Sequence, residues 1–176
     1  MNLPAGPRRH DRVRFRQSEG MATWQEQADD VWARADELGD QGVMDAMDAL
    51  AADAPDPALA AFERGGSRDS GGRPELAEPL YREALALGLP DDERAQCTIQ
   101  LASTIRNLGR PEESLELLRT ADPYEPYAVA RASFIALTLA SLDRPAEGLA
   151  ELLRAVAPTL PRYQRSVRAY ADALVE

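Results

Sequence analysis

From Thr23 onward, apolar side chains recur every three to four positions, at Trp24, Ala28, Val31, Ala35 and Leu38, and the run ends at Gly39. Thr23 followed by Glu26 is a capping-box start, so the spacing predicts a first helix over 23–38. Val43, Met47, Leu50 and Ala51 share one side of a second helix at about 42–53, which stops before Pro55. Asp56 then Pro57 reads as a cap and a first-turn proline opening a third helix. The stretch RGGSRDSGGR, Arg64 to Arg73, weakens that third helix, because its glycines each cost up to about 1 kcal/mol relative to alanine. A linker is the alternative reading of this stretch.

Beyond it the pattern repeats. LGRPEESLELLRTA (Leu108 to Ala121) and LDRPAEGLAELLRA (Leu142 to Ala155) align without gaps at an interval of 34 residues, and the GRPE of Gly72 to Glu75 stands 37 residues before that of Gly109 to Glu112. Each copy has a residue tolerant of left-handed backbone, Gly72, Gly109 or Asp143, just after an apolar helical run, with proline two residues later. The phrase therefore means helix stop, tight turn, helix start. Within the helix that follows, Ser114, Leu118 and Ala121 are matched by Gly148, Leu152 and Ala155 and by Ala77, Tyr81 and Ala84, a small–large–small face that lets two helices approach closely. A period near 34 residues makes a repeat architecture the first expectation.

The last stretch, TLPRYQRSVRAYADALVE, predicts one more helix, with Tyr163, Val167, Tyr170 and Leu174 as an apolar stripe and Arg162, Arg165 and Arg168 away from it. A stacked array needs such a terminal helix as a cap with a polar outer face.

Composition sharpens this picture. At 44% hydrophobic but only 6% aromatic, with Ala and Leu dominant and β-branched residues sparse, the chain favours helix over sheet. Its 176 residues suffice to bury a core without staples or metals. All 20 basic residues are arginine against 30 acidic ones, a net charge of -10, which makes nucleic acid an improbable partner for the body of the chain. Residues 1–20 reverse that sign, with five arginines, His10 and two acids, and read as a disordered basic arm or as residues ahead of a start at Met21. Cys97 has no second cysteine to pair with, which favours a reducing compartment, the cytoplasm. No apolar run follows Arg8 and Arg9 to make a signal, and no 18-residue apolar window exists, so a membrane span is not expected.

The repeated phrase resembles the tetratricopeptide repeat family, whose 34-residue helix–turn–helix units carry small residues at the eighth, twentieth and twenty-seventh positions and a proline near the thirty-second. In the middle copy, counted from Ala95, these are Ala102, Ser114, Ala121 and Pro126; in the last, from Val129, they are Ala136, Gly148 and Ala155, with Pro161 one place late. The first copy keeps Gly65, Ala77 and Ala84 but has Arg64 and Arg68 where apolar residues are expected. The resemblance spans about residues 57–161 and is strongest to small acidic bacterial members with three repeats and a trailing helix. It implies an all-α, right-handed superhelical array of antiparallel helix pairs, divided as a basic arm at 1–20, an N-terminal helical pair at 21–54, and three repeats plus a C-terminal cap helix at 55–176.

No catalytic constellation accompanies these features. The one histidine lies in the arm, Cys97 reads as a small buried hydrophobe, the paired carboxylates stand at helix starts or wet faces, and the glycines of GGSRDSGG lack the lysine of a phosphate loop. No metal or cofactor motif is seen. What the resemblance implies instead is a concave groove formed by the first helix of each repeat and holding a protein or peptide partner. Its expected contacts are Gln96, Gln100, Ser103, Arg106 and Asn107 in the middle repeat, Phe62 with Gly66 and Asp69 in the first, Ser133 and Leu137 with Ser141 in the last, and Arg165 and Arg168 if the cap helix borders the groove. The carboxylate clamp of chaperone-binding members is not matched, since its lysine and asparagine positions read Ile99 and Ser103. The function expected is a non-catalytic cytoplasmic adaptor. Two alternatives stand beside it: a self-assembling dimer paired through an apolar edge of Trp24, Val31 and Met47, and nucleic-acid contact through the arginine arm.

Overall fold

The computed structural model describes residues 22–176, so the arm expected at 1–20, with any nucleic-acid contact through it, lies outside the described residues. Nine α-helices follow one another among the described residues: α1 Trp24–Ala33, α2 Ala35–Ala51, α3 Pro57–Ser70, α4 Pro74–Leu87, α5 Asp91–Asn107, α6 Pro111–Thr120, α7 Ala128–Ser141, α8 Pro145–Val156 and α9 Gln164–Ala173. None of these residues forms a strand. Each helix packs on the next in order, and α3, α5 and α7 also touch in succession, which makes an all-α solenoid of helix hairpins with one row of helices along one side. Among the described residues no helix is long and apolar enough to cross a membrane.

The repeated phrase builds one turn three times. Gly72, Gly109 and Asp143 take φ of 69°, 80° and 58°. The next amide, of Arg73, Arg110 or Arg144, donates five residues back to the carbonyl of Arg68, Ile105 or Leu139 at 2.8, 3.1 and 2.9 Å. The glycine or aspartate amide itself donates three residues back, at 3.0, 3.0 and 3.3 Å. This double bond pattern satisfies the last carbonyls of the first helix, and Pro74, Pro111 and Pro145 then open the second.

Each turn folds its two helices face to face, and small residues stand at the crossings. Ala77, Tyr81 and Ala84 are fully buried, as are Ser114 and Leu118. A Cβ on Gly148 would lie 2.8 Å from the Ala136 carbonyl oxygen and 2.9 Å from its Cα. Thr138 already donates to the Phe134 carbonyl (2.8 Å), so across the α6–α7 joint the Ser114 hydroxyl is the donor to Thr138 Oγ1, 3.2 Å away.

Several expectations are corrected. The helix expected over 23–38 is broken at Arg34, while its expected stop at Gly39 is kept as a kink in α2, with φ of 67°. The bend goes with two indole contacts to different neighbours: Trp24 Nε1 donates to the Leu50 carbonyl on α2 (2.9 Å) and Trp32 Nε1 to Glu63 on α3 (2.6 Å). The glycine-rich stretch is no linker, because α3 runs through it. Gly65 is helical where its missing side chain makes room for the Tyr81 ring, which a Cβ would meet at 2.7 Å. Arg64 and Arg68 face α2 instead of an apolar core, both paired with Asp48, at 2.7 and 2.5 Å. Burial of Asp48 opposes its charge, but the two guanidiniums prevail and hold its carboxyl below the usual range. Val31 and Met47 are core residues and Trp24 packs against them, so they do not form an exposed edge. In α9, Ala171 is buried and Val167 half-buried, while Tyr163 and Tyr170 of the expected stripe are 74% and 71% exposed. The reason is that α9 has a neighbour on one side only, α8 with the turn that follows it.

The turn and crossing set opposite expectations for two substitutions. Gly148→Ala forces α7 and α8 apart and lowers stability by about 1–3 kcal/mol, whereas Asp143→Gly relieves left-handed strain and raises it by up to about 1 kcal/mol. The denaturation midpoints of the two variants, read against the parent chain, check both signs.

Candidate functional site

The side of the solenoid formed by α1, α3, α5 and α7 carries a continuous groove. At its N-terminal part, a cavity of about 310 Å³ is walled by Trp32, Phe62 and Gly66, floored by Gln96 and Gln100, and rimmed by Asp29, Glu63 and Glu93. It continues past Gly66 and Gln100 to Asp69, Tyr81 and Asn107, and on the other side past Gln96 and Gln100 to Tyr127, Ala130 and Phe134. At Gly66 the Trp32 ring lies 3.2 Å from a would-be Cβ, so a side chain here would push on that ring.

Two side chains on the floor are held in place. Tyr81, buried under Gly65, sends its hydroxyl to Gln100 Oε1 at 2.6 Å, which orients the Gln100 amide nitrogen away from that bond. The Gln96 amide donates to Asp92 Oδ2 (2.7 Å), which also accepts from the Tyr127 hydroxyl (3.0 Å). The groove thus has fixed amides between aromatic walls.

Its charge is one-sided. Asp29, Glu63, Asp69 and Glu93 enter no ion pair among the described residues, in contrast to Glu78, Glu113, Glu147 and Glu151, which pair with arginines of neighbouring helices. Burial pushes the Glu63 carboxyl up, the hydrogen bond from Trp32 pulls it back, and the charge of Asp29 adds to the rise. Asp69 is raised by burial against the hydroxyls of Thr104 and Tyr81. Holding these groups ionised costs the fold energy, which a cation entering the groove would offset.

Of the residues expected at the groove, Phe62, Gly66, Asp69, Gln96, Gln100 and Asn107 line it. Ser103 and Arg106 are half-buried on α5 outside these cavities, with Arg106 turned to Asn107 Oδ1 (3.3 Å). Ser133 donates back to the Val129 carbonyl, and its neighbour Phe134 takes the groove position, 34 residues on from Gln100. Leu137 is exposed, and Arg165 and Arg168 stand on α9, away from the groove residues. Trp32, Glu63 and Tyr127 were missed. The hydrogen-bonding indole of Trp32 lies one residue off the apolar stripe of its helix, a signal for a second face.

Cys97 is fully buried, its Sγ 3.6 Å from the Tyr81 carbonyl oxygen, and burial pushes its thiol up to about 12. Among the described residues no cluster of His, Cys, Asp and Glu is arranged to hold a metal.

A family model for the tetratrico peptide repeat matches residues 58–174. No curated protein and no solved structure matches the chain.

The burial of Cys97 makes its thiol inert in the folded chain: a thiol reagent at mildly alkaline pH is expected to label it only as fast as the protein unfolds. Labelling at the rate of a free thiol would show that α4 and α5 part readily.

Proposed function

The chain belongs to the tetratricopeptide repeat family, and from that premise we propose that it is a non-catalytic protein-interaction module whose groove holds an extended peptide segment carrying a basic side chain. The carrying observation is the trio Asp29, Glu63 and Glu93, without ion-pair partners among the described residues, around a cavity walled by Trp32 and Phe62. A guanidinium or ammonium entering there stacks on the Trp32 face and meets Glu63, gaining attraction where water is already partly excluded. Gln96, Gln100 and Asn107 supply donors and acceptors for the peptide backbone beside it. The same charge repels acidic tails and phosphate chains, which agrees with the absence of a carboxylate clamp and argues against nucleic acid in the groove. The lone buried thiol supports a reducing compartment, the cytoplasm.

Titration of Glu63 gives this reading a sign. Its carboxyl is raised, so it loses charge at a pH above the usual carboxylate range, and binding of a basic peptide weakens as pH falls through that window. In the free protein the sign is opposite: the penalty for the charged, buried carboxyl is present above the raised value and is relieved as pH falls. Glu63→Gln keeps an acceptor for Trp32 and removes the charge. It is therefore expected to leave stability at neutral pH unchanged or higher while weakening a basic peptide by about tenfold or more, some 1.4 kcal/mol. Calorimetric titration with pools of short arginine-rich and glutamate-rich peptides, followed also by Trp fluorescence, checks this. Equal affinity for both pools, or an unchanged affinity in Glu63→Gln, would sink the reading.

A further inference from the structure

Helices α1 to α8 pack in succession, yet both ends of the solenoid carry surface that none of the described residues covers. At the C-terminal end, α9 shows Tyr163, Tyr170, Leu174 and Val175 to solvent. Beside them stand Arg162, Arg165 and Arg168, exposed and in no ion pair among the described residues, while Asp172 is taken by Arg154 (2.8 Å). At the other end, α1 and α2 hold eight carboxylates against one arginine, Arg34. Between them lies a shallow, mainly apolar hollow of about 590 Å³, formed by Val31, Ala46, Ala49 and Leu50 and rimmed by Glu26 and Asp30. These residues lie on a different face of α1 from Gln25, Asp29 and Trp32 of the groove.

We propose that copies of this chain associate head to tail, the tyrosine-and-arginine face of α9 on one copy seating on the acidic, apolar α1–α2 end of the next. Charge decides the occupant. Two α9 faces repel each other, as do two α1–α2 ends, so a symmetric pairing of either surface is opposed while the mixed pairing is attractive. The chain uses the same chemistry at its own joints: Arg82 with Glu113 between α4 and α6 (2.6 Å), Arg119 with Glu151 between α6 and α8 (2.5 Å), and Arg154 with Asp172 between α8 and α9. A second copy on α9 continues that series, and its Val31–Leu50 hollow receives the exposed tyrosines, whose rings bury large area at small entropic cost. Because the two surfaces differ, the assembly does not close at two copies by symmetry.

Sedimentation velocity on the full chain tests this. The weight-average mass is expected to rise above 19.2 kDa with concentration, and the association constant to fall about tenfold or more between roughly 0.05 and 0.5 M salt. Two exposed positions then disable one end each: Tyr170→Ala removes an aromatic anchor from α9, and Ala49→Arg sets a cation on α2 against the α9 arginines, both checked for unchanged helicity. Each variant alone is expected to be monomeric, and their equimolar mixture to form a one-to-one complex, since one retains a working head and the other a working tail. A full chain that stays at 19.2 kDa at every concentration overturns the proposal, including the case where deleting residues 1–20 releases association, which would assign the hollow to the chain's own basic segment. So does association that persists in both variants, or a mixture that shows no heterocomplex.

Discussion

Helices joined by a three-residue turn must lie against each other along most of their length, and they can do so only if nothing bulky stands where their axes cross. Gly65 against the Tyr81 ring and Gly148 against the Ala136 backbone are the clearest cases, each with no room for a methyl group. Ser114 and Thr138 meet the same constraint at the α6–α7 joint with small side chains that satisfy one another. The spacing of the rest follows. The large residues Tyr81 and Leu118 fill the space beside these crossings, and the row of α3, α5 and α7 that bears the groove is set by how closely each hairpin closes.

Features that depend on one local phrase were legible in the sequence. Glycine or aspartate followed by arginine and proline specifies its turn through backbone geometry alone, which is why three copies share nearly the same dihedrals. Thr23 with Glu26 formed its capping box for the same reason. The groove was half legible: a period of 34 carries Gln96 and Gln100 on to Ala130 and Phe134, which line it, but a register slip of one residue chose Ser133 over Phe134. What could not be read locally came from tertiary context. Trp32 finds its partner in Glu63, 31 residues on, and the glycines of α3 are tolerated because they are packing sites. The stripe of α9 failed because an apolar periodicity states what a helix is able to bury, and here only one neighbour is present to bury it.

Arginine supplies every basic side chain, and its distribution separates two kinds of surface. On the outer helices, guanidinium and carboxylate meet across the joints, as in Arg82 with Glu113, Arg110 with Glu78, and Arg119 with Glu147 and Glu151. Such exposed pairs contribute little energy singly, but they fix which helix sits beside which. Around the groove the carboxylates are left without that compensation. Acids are neutralised where α4, α6 and α8 meet, and are left without that compensation around Trp32 and on the α1–α2 end.

Packing in this chain is almost entirely between successive helices, with the row α3, α5, α7 as the added contact. Its mechanics are therefore those of a coil spring. Small rotations at the glycine-bearing crossings add along the axis into a change of pitch, with no distant contact to resist them. A segment lying across Trp32, Gln100 and Phe134 spans several of these elastic joints at once, so that gripping it also sets the coil's twist.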